Sequence, residues 1–135
     1  MLLDPDDISA LDRPRALPAL ERFRLRRIDD PDDPAFDAAW DMLASFFYAS
    51  GELEDREVLR RFVRAPRLDY GAGAYGTYHL VTAWDGDDLV GVRDCYVDID
   101  ERRGVSLVAL SHSYVAPACR RSGLAALLRA LPASL

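Results

Sequence analysis

Arg120, Arg121 and Gly123 stand together between an apolar run that ends at Val115 and a helix-forming run, Leu124-Ala125-Ala126-Leu127-Leu128. Two guanidinium groups and a glycine at the entrance to a helix suit one kind of chemistry, the capture of an anion. The first N–H groups of a helix have no intrahelical acceptors and lie at the positive end of its dipole. A phosphate placed there receives several donors at once. Gly123 lets the main chain approach a diphosphate closely, and Arg120 and Arg121 add charge.

The elements that must position this turn are read from periodicity. Residues 1–19 contain Pro5, Pro14 and Pro18 and are expected to form an irregular or partly helical lead-in without function. From Leu20 to Ile28, Phe23 and Leu25 alternate with Arg22, Arg24 and Arg26, which predicts a half-buried strand with a solvated arginine face. Asp33 and Pro34 read as the cap and first position of a helix running to about Ala49, with Phe36, Ala39, Trp40, Leu43 and Phe47 as its core stripe. A second amphipathic helix, Glu52 to Arg64, turns Leu53, Val58, Leu59, Phe62 and Val63 inward and is ended by Pro66.

The glycine-rich stretch from Asp69 to Gly76 is expected to be a mobile connection, or a substrate lid, and lacks the Gly-Lys-Ser/Thr of a phosphate cradle. Three strands follow: Tyr78 to Trp84, Leu89 to Ile99 and Val105 to Val115, the first two joined by an Asp85-Gly86-Asp87-Asp88 hairpin. Ser122 to Leu131, closed by Pro132, is the final helix. The fold class is therefore α/β (α+β), a mixed and mostly antiparallel sheet flanked by helices in the order β-α-α-β-β-β-α.

Arg120-x-x-Gly123-x-Ala125, following the strand residue Val115 by five positions, resembles the acetyl-coenzyme A signature of the GCN-related N-acetyltransferases, the GNAT superfamily. The order of elements is also that of the N-terminal two-thirds of that fold. The resemblance implies a partial GNAT domain over residues 20–135 that moves acetyl from acetyl-CoA to a primary amine by direct attack within a ternary complex. It implies that the main chain of Val115 pairs with the pantetheine arm and polarises the thioester carbonyl. The amides of Arg121, Ser122, Gly123, Leu124 and Ala125, with Arg120 at the first position of the motif, would hold the pyrophosphate.

The general base is not supplied by the resemblance. Some members place a glutamate about six residues before the Val115 position, where this chain has Ala109. His112, three residues before Val115, is the best local substitute as catalytic residue; its alternative is a hydrogen-bonded strand histidine next to Tyr114. Asp94 and Tyr96 on the neighbouring strand are weaker candidates. Ser111 and Ser113 alternate with His112 and are expected on the opposite face, unable to pair with it. Cys119 is read as incidental, Cys95 as a small core residue and His79 as structural.

The family continues beyond its signature helix, whereas this sequence stops at Leu135, before the fifth strand that would flank Val105 to Val115. The sequence is accordingly expected to be a fragment, or to have that fourth strand covered by a C-terminal segment or a homodimer partner. A non-catalytic CoA-binding module and an interaction domain are the alternative functions. The formal charge of −6 and pI near 4.8 argue against nucleic acid as partner and weakly favour a small-molecule or peptide amine. No apolar run suits a membrane span, the acidic start is unlike a signal peptide, and the cysteine spacing suggests neither a metal site nor a disulfide framework. A cytoplasmic location is the default expectation.

Overall fold

The computed structural model describes residues 3–65 and 67–133. Its first helix, α1, spans Arg13–Arg22: it is the helical part of the lead-in, and it takes over the start of the expected strand. Pro14 sits in the first turn, where its missing N–H costs nothing. Pro18 lies inside the helix but on its exposed side. The decisive contribution is tertiary: Ala16 and Ala19 are completely buried, and small side chains let α1 lie close against the last helix. Packing here overrides the proline-based expectation of a break. Strand β1 is consequently only Arg24–Arg27, with Phe23 buried just before it.

Helix α2, Pro34–Phe47, has the expected cap: the Asp33 carboxylate accepts from the Ala35 N–H and Pro34 opens the first turn. Phe36, Ala39 and Leu43 are fully buried, as their spacing requires. Helix α3 is Arg56–Arg64, so the segment from Glu52 to Asp55 is an extended approach to it, with Leu53 buried. The expected terminator, Pro66, lies outside the described residues.

The glycine-rich stretch is a hairpin rather than a loop. Strand β2, Leu68–Gly71, turns through Gly71, Ala72 and Gly73, all at positive φ, into β3, Ala74–Asp85. Glycine at two of those positions makes the tight reversal available. The extra strand makes Val105–Val115 the fifth, β5, after β4, Asp88–Asp100. All pairings are antiparallel, in the order β1-β3-β4-β5, with β2 on the β1 side of β3. Strand β5 is one edge of the sheet, opposite the edge formed by β1 and β2.

Two cores lie on the two faces. Val81, Ala83 and Val90 meet α1 and the last helix, α4, Leu124–Ala130. Tyr78, Leu80 and Val92 meet α2 and α3. Leu124, Leu127 and Leu128 are fully buried, each contributing about 1.5–3 kcal/mol from burial. Arg93 is buried beside them: its guanidinium donates to the carbonyls of Leu128 at 3.2 Å and Leu131 at 3.0 Å. It thereby satisfies acceptors that the end of α4 leaves open.

Candidate active site

The turn that the sequence singled out joins β5 to α4. A short 3-10 turn, Pro117–Cys119, leads into it, and the Ser122 hydroxyl donates back to the Cys119 carbonyl. Arg121 adopts φ 63 and Gly123 φ 85; the first is a conformation that a residue with a Cβ rarely takes. Gly123 has a reason beyond the approach of a ligand. A Cβ on it would fall 2.1 Å from the Arg15 carbonyl oxygen of α1, so its missing side chain is what lets α1 close over the turn.

Beside this turn lies a cavity of about 600 Å³, lined by Arg15, Arg120, Arg121 and Arg129 together with Val115, Ser122, Gly123 and Ala125. No carboxylate lines it, in a chain with 23 acidic and 17 basic residues. Charge is therefore segregated, and the site is suited to a phosphate-bearing ligand. Cys119 is buried against the apolar core beneath it.

Val115 connects this cavity to the sheet edge. In the ladder Gly91 stands opposite Val115, and the Ala116 N–H donates to the Val90 carbonyl. In such a pair the flanking residues make the cross-strand bonds, so the N–H and C=O of Val115 itself face the open edge. The carbonyl accepts from Arg120 Nε at 3.3 Å. A second cavity of about 300 Å³ continues along the strand, lined by Phe46, Phe47, Tyr114, Val115 and Arg120, and is mostly apolar.

The third cavity, about 490 Å³, is lined by Phe47, Glu52, Glu54, Tyr96, Ser111 and His112. His112 Nδ1 lies 2.8 Å from Asp94 Oδ1, and Asp94 Oδ2 accepts from the Tyr78 hydroxyl at 2.8 Å. Its Nε2 lies 2.7 Å from the Glu52 carbonyl oxygen. Both ring nitrogens thus face acceptors, an arrangement fully satisfied only by the imidazolium. The hydrogen bond to Asp94 raises the His112 pKa above its ordinary value, against opposing desolvation, and the Glu52 carbonyl adds to the rise. Burial pushes the phenols of Tyr78 and Tyr96 well up, so both keep their protons.

The alternation expected around His112 is broken. Asp94 pairs with His112 but Cys95 pairs with Leu110, so Ser111 is the extra residue of a bulge. It lines the same cavity as His112 instead of the opposite face. Asp94 is fully buried and serves His112 as partner, and Tyr96 stands at the cavity wall. His79 is buried on β3, bonded to Thr77 through Nε2 at 2.8 Å and away from this cluster. Cys95 is buried, and its burial raises the thiol pKa. Among the described residues no group of three or more His, Cys, Asp or Glu side chains is placed to hold a metal, and no helix is long and apolar enough to cross a membrane.

Solved structures share this architecture. An aminoglycoside acetyltransferase from an uncultured soil metagenomic sample, determined in complex with sisomicin, matches with a TM-score of 0.59 at 16% identity, over 81% of this chain and 66% of that one. A second aminoglycoside acetyltransferase from an uncultured soil metagenomic sample gives a TM-score of 0.57 at 17% identity, over 79% of this chain and 66% of that one. The fold is that of an acetyltransferase. The match spans just under two thirds of each of those chains. No protein-family model matches the chain, and no curated protein matches it in sequence.

Within this acetyltransferase fold, the structure brings Val115, Arg120, Arg121, Ser122, Gly123 and Ala125 to one cavity, with Leu124 buried as the first residue of α4. It places His112 in a separate one farther along β5. Sequence reasoning missed Arg15, Arg129, Glu52 and Glu54. Arg129 was legible, four residues after Ala125 on the same helix face. Arg15 was not, because a lead-in read as irregular or partly helical had no assigned face and no packing partner.

Proposed function

We propose that this chain is an acetyl-CoA-dependent N-acetyltransferase of GNAT type that moves acetyl to a primary amine by direct attack in a ternary complex. One observation carries the reading: three adjoining cavities follow β5 in the order acidic, apolar, basic. A phosphate-bearing head, an apolar arm and a cationic acceptor have matching surroundings in that order.

The donor set fits the cosubstrate. Arg120, Arg121 and the amides of the turn would hold the diphosphate, and the outward N–H of Val115 would bond the thioester carbonyl oxygen. The amine nitrogen attacks the carbonyl carbon, negative charge builds on that oxygen, and the carbon–sulfur bond then breaks to release coenzyme A as the thiolate, which takes a proton from solvent. Holding both reactants along one strand supplies much of the rate. Glu52 and Glu54 give the acceptor cavity its negative charge and favour an ammonium-bearing substrate such as a polyamine, an aminoglycoside or a lysine side chain.

The amine must lose a proton, and His112 is the group placed to take it. In the structure Nε2 is engaged by the Glu52 carbonyl, so this role requires the Glu52–Asp55 segment to withdraw when acceptor binds. The test is thiol release from acetyl-CoA with a panel of amines, read beside calorimetry. Amine-dependent thiol release is expected. Binding without release would leave a non-catalytic CoA-binding module, and no heat at millimolar acetyl-CoA would leave an interaction domain.

A further inference from the structure

Helix α1 carries three arginines, and they are treated differently. Arg13 is tied to the Ile8 carbonyl at 2.9 Å and to Asp6 at 3.2 Å, and Arg22 to Asp85 at 2.8 Å. Arg15, the one that lines the basic cavity, has no ion pair or hydrogen bond among the described residues. Its position is nonetheless fixed, since its carbonyl abuts Gly123 and Ala16 beside it is fully buried. Across the cavity, Arg129 of α4 reaches Asp12 only at 4.0 Å and its side chain remains 60% exposed. An exposed pair at that distance is worth little, so Arg129 stays available to a ligand.

Arg120 and Arg121 stand at the start of α4 and Arg129 near its end, six residues beyond Gly123. At the rise of an α-helix that separation is about 9 Å. One compact diphosphate does not require four guanidinium groups spread over such a length. We propose that Arg15 and Arg129 form a second anion subsite, which takes a phosphate monoester on the sugar of a nucleotide whose diphosphate lies against the Arg120–Gly123 turn. This rests on the reading of the cavity as a coenzyme A site. It gives α1 a role in recognition: the helix brings one cation to the turn that it covers.

Coenzyme A and 3′-dephospho-coenzyme A differ by that one phosphate, so their affinities, measured by titration calorimetry at low and at moderate salt, isolate the subsite. The parent protein should bind coenzyme A at least tenfold more tightly. The double variant Arg15→Gln, Arg129→Gln should bind the two within twofold of each other and should hold dephospho-coenzyme A as the parent does. Arg129→Gln alone, which leaves α1 untouched, should lose part of the preference. Equal affinities in the parent, or a preference that survives the double variant, would overturn the subsite while leaving the coenzyme A reading in place. Binding of neither ligand would overturn both.

Discussion

The carbonyl oxygen of Arg15 occupies the space that a Cβ on Gly123 would need, at 2.1 Å. That contact joins the first helix of the chain to the turn at its last one, and Gly123 is also held at φ 85. Gly123→Ala should therefore destabilise the fold by about 2–4 kcal/mol through left-handed strain and overpacking. Urea unfolding would measure it. A loss below about 0.5 kcal/mol would mean that α1 does not rest on this glycine.

His112 gives a pH dependence whose sign follows from its partners. Folding raises its pKa above 6.5 through the Asp94 hydrogen bond, so the native state binds the proton more tightly than the unfolded chain. The resulting stabilisation is complete below the unfolded pKa and is lost as pH rises through the folded one. Relative to the parent, His112→Gln should be least stable near pH about 5.5, by about 1.5–3 kcal/mol for a charge-assisted bond. The gap should narrow toward pH about 9. Thermal unfolding of both proteins across that range decides it, and the His79 titration, common to both, cancels. Under the proposed reaction the same group must be neutral to act, so kcat/KM should rise with pH through that raised pKa, and His112→Gln should lose the limb.

Arg93 is a buried cation with no carboxylate on its guanidinium among the described residues; its bonds go to the carbonyls at and just after the end of α4. Arg93→Met should cost about 2–5 kcal/mol, since it strands those acceptors in the core. Denaturant unfolding checks this. Stability equal to that of the parent would show that the carbonyls find other partners.

Strand β5 presents Val105, Leu107 and Val108 at 56%, 64% and 53% exposure along an unpaired edge. Such an edge pairs readily with another strand. Sedimentation velocity should show association growing with concentration, and Leu107→Lys should suppress it. Indistinguishable profiles for parent and variant would remove β5 as the contact.

Much of this architecture was legible in the residues because local chemistry decides it. Asp33 caps and Pro34 opens a helix through their own backbone geometry, the Phe36-Ala39-Leu43 stripe has one period, and Gly86 between acidic neighbours reverses the chain. The Val115–Ala125 turn was readable for the same reason, its donors lying consecutive along the backbone. Two features were not. Pro14 and Pro18 left the lead-in open between irregular and partly helical, and the burial of Ala16 and Ala19 against α4 decides for the helix. The partners of His112 come from β4 and from the segment before α3, and the bulge at Ser111 shifts which side chains share its face.

The sequence by itself determined α2, the three long strands, and the basic turn that leads into α4, because those depend on neighbours within a few residues. Tertiary structure alone decided that α1 closes over Gly123, that Arg15 joins Arg120, Arg121 and Arg129, and that both ring nitrogens of His112 face acceptors on Asp94 and Glu52. Each of these depends on groups far apart in the chain meeting at contact distance, where burial and charge act on them together.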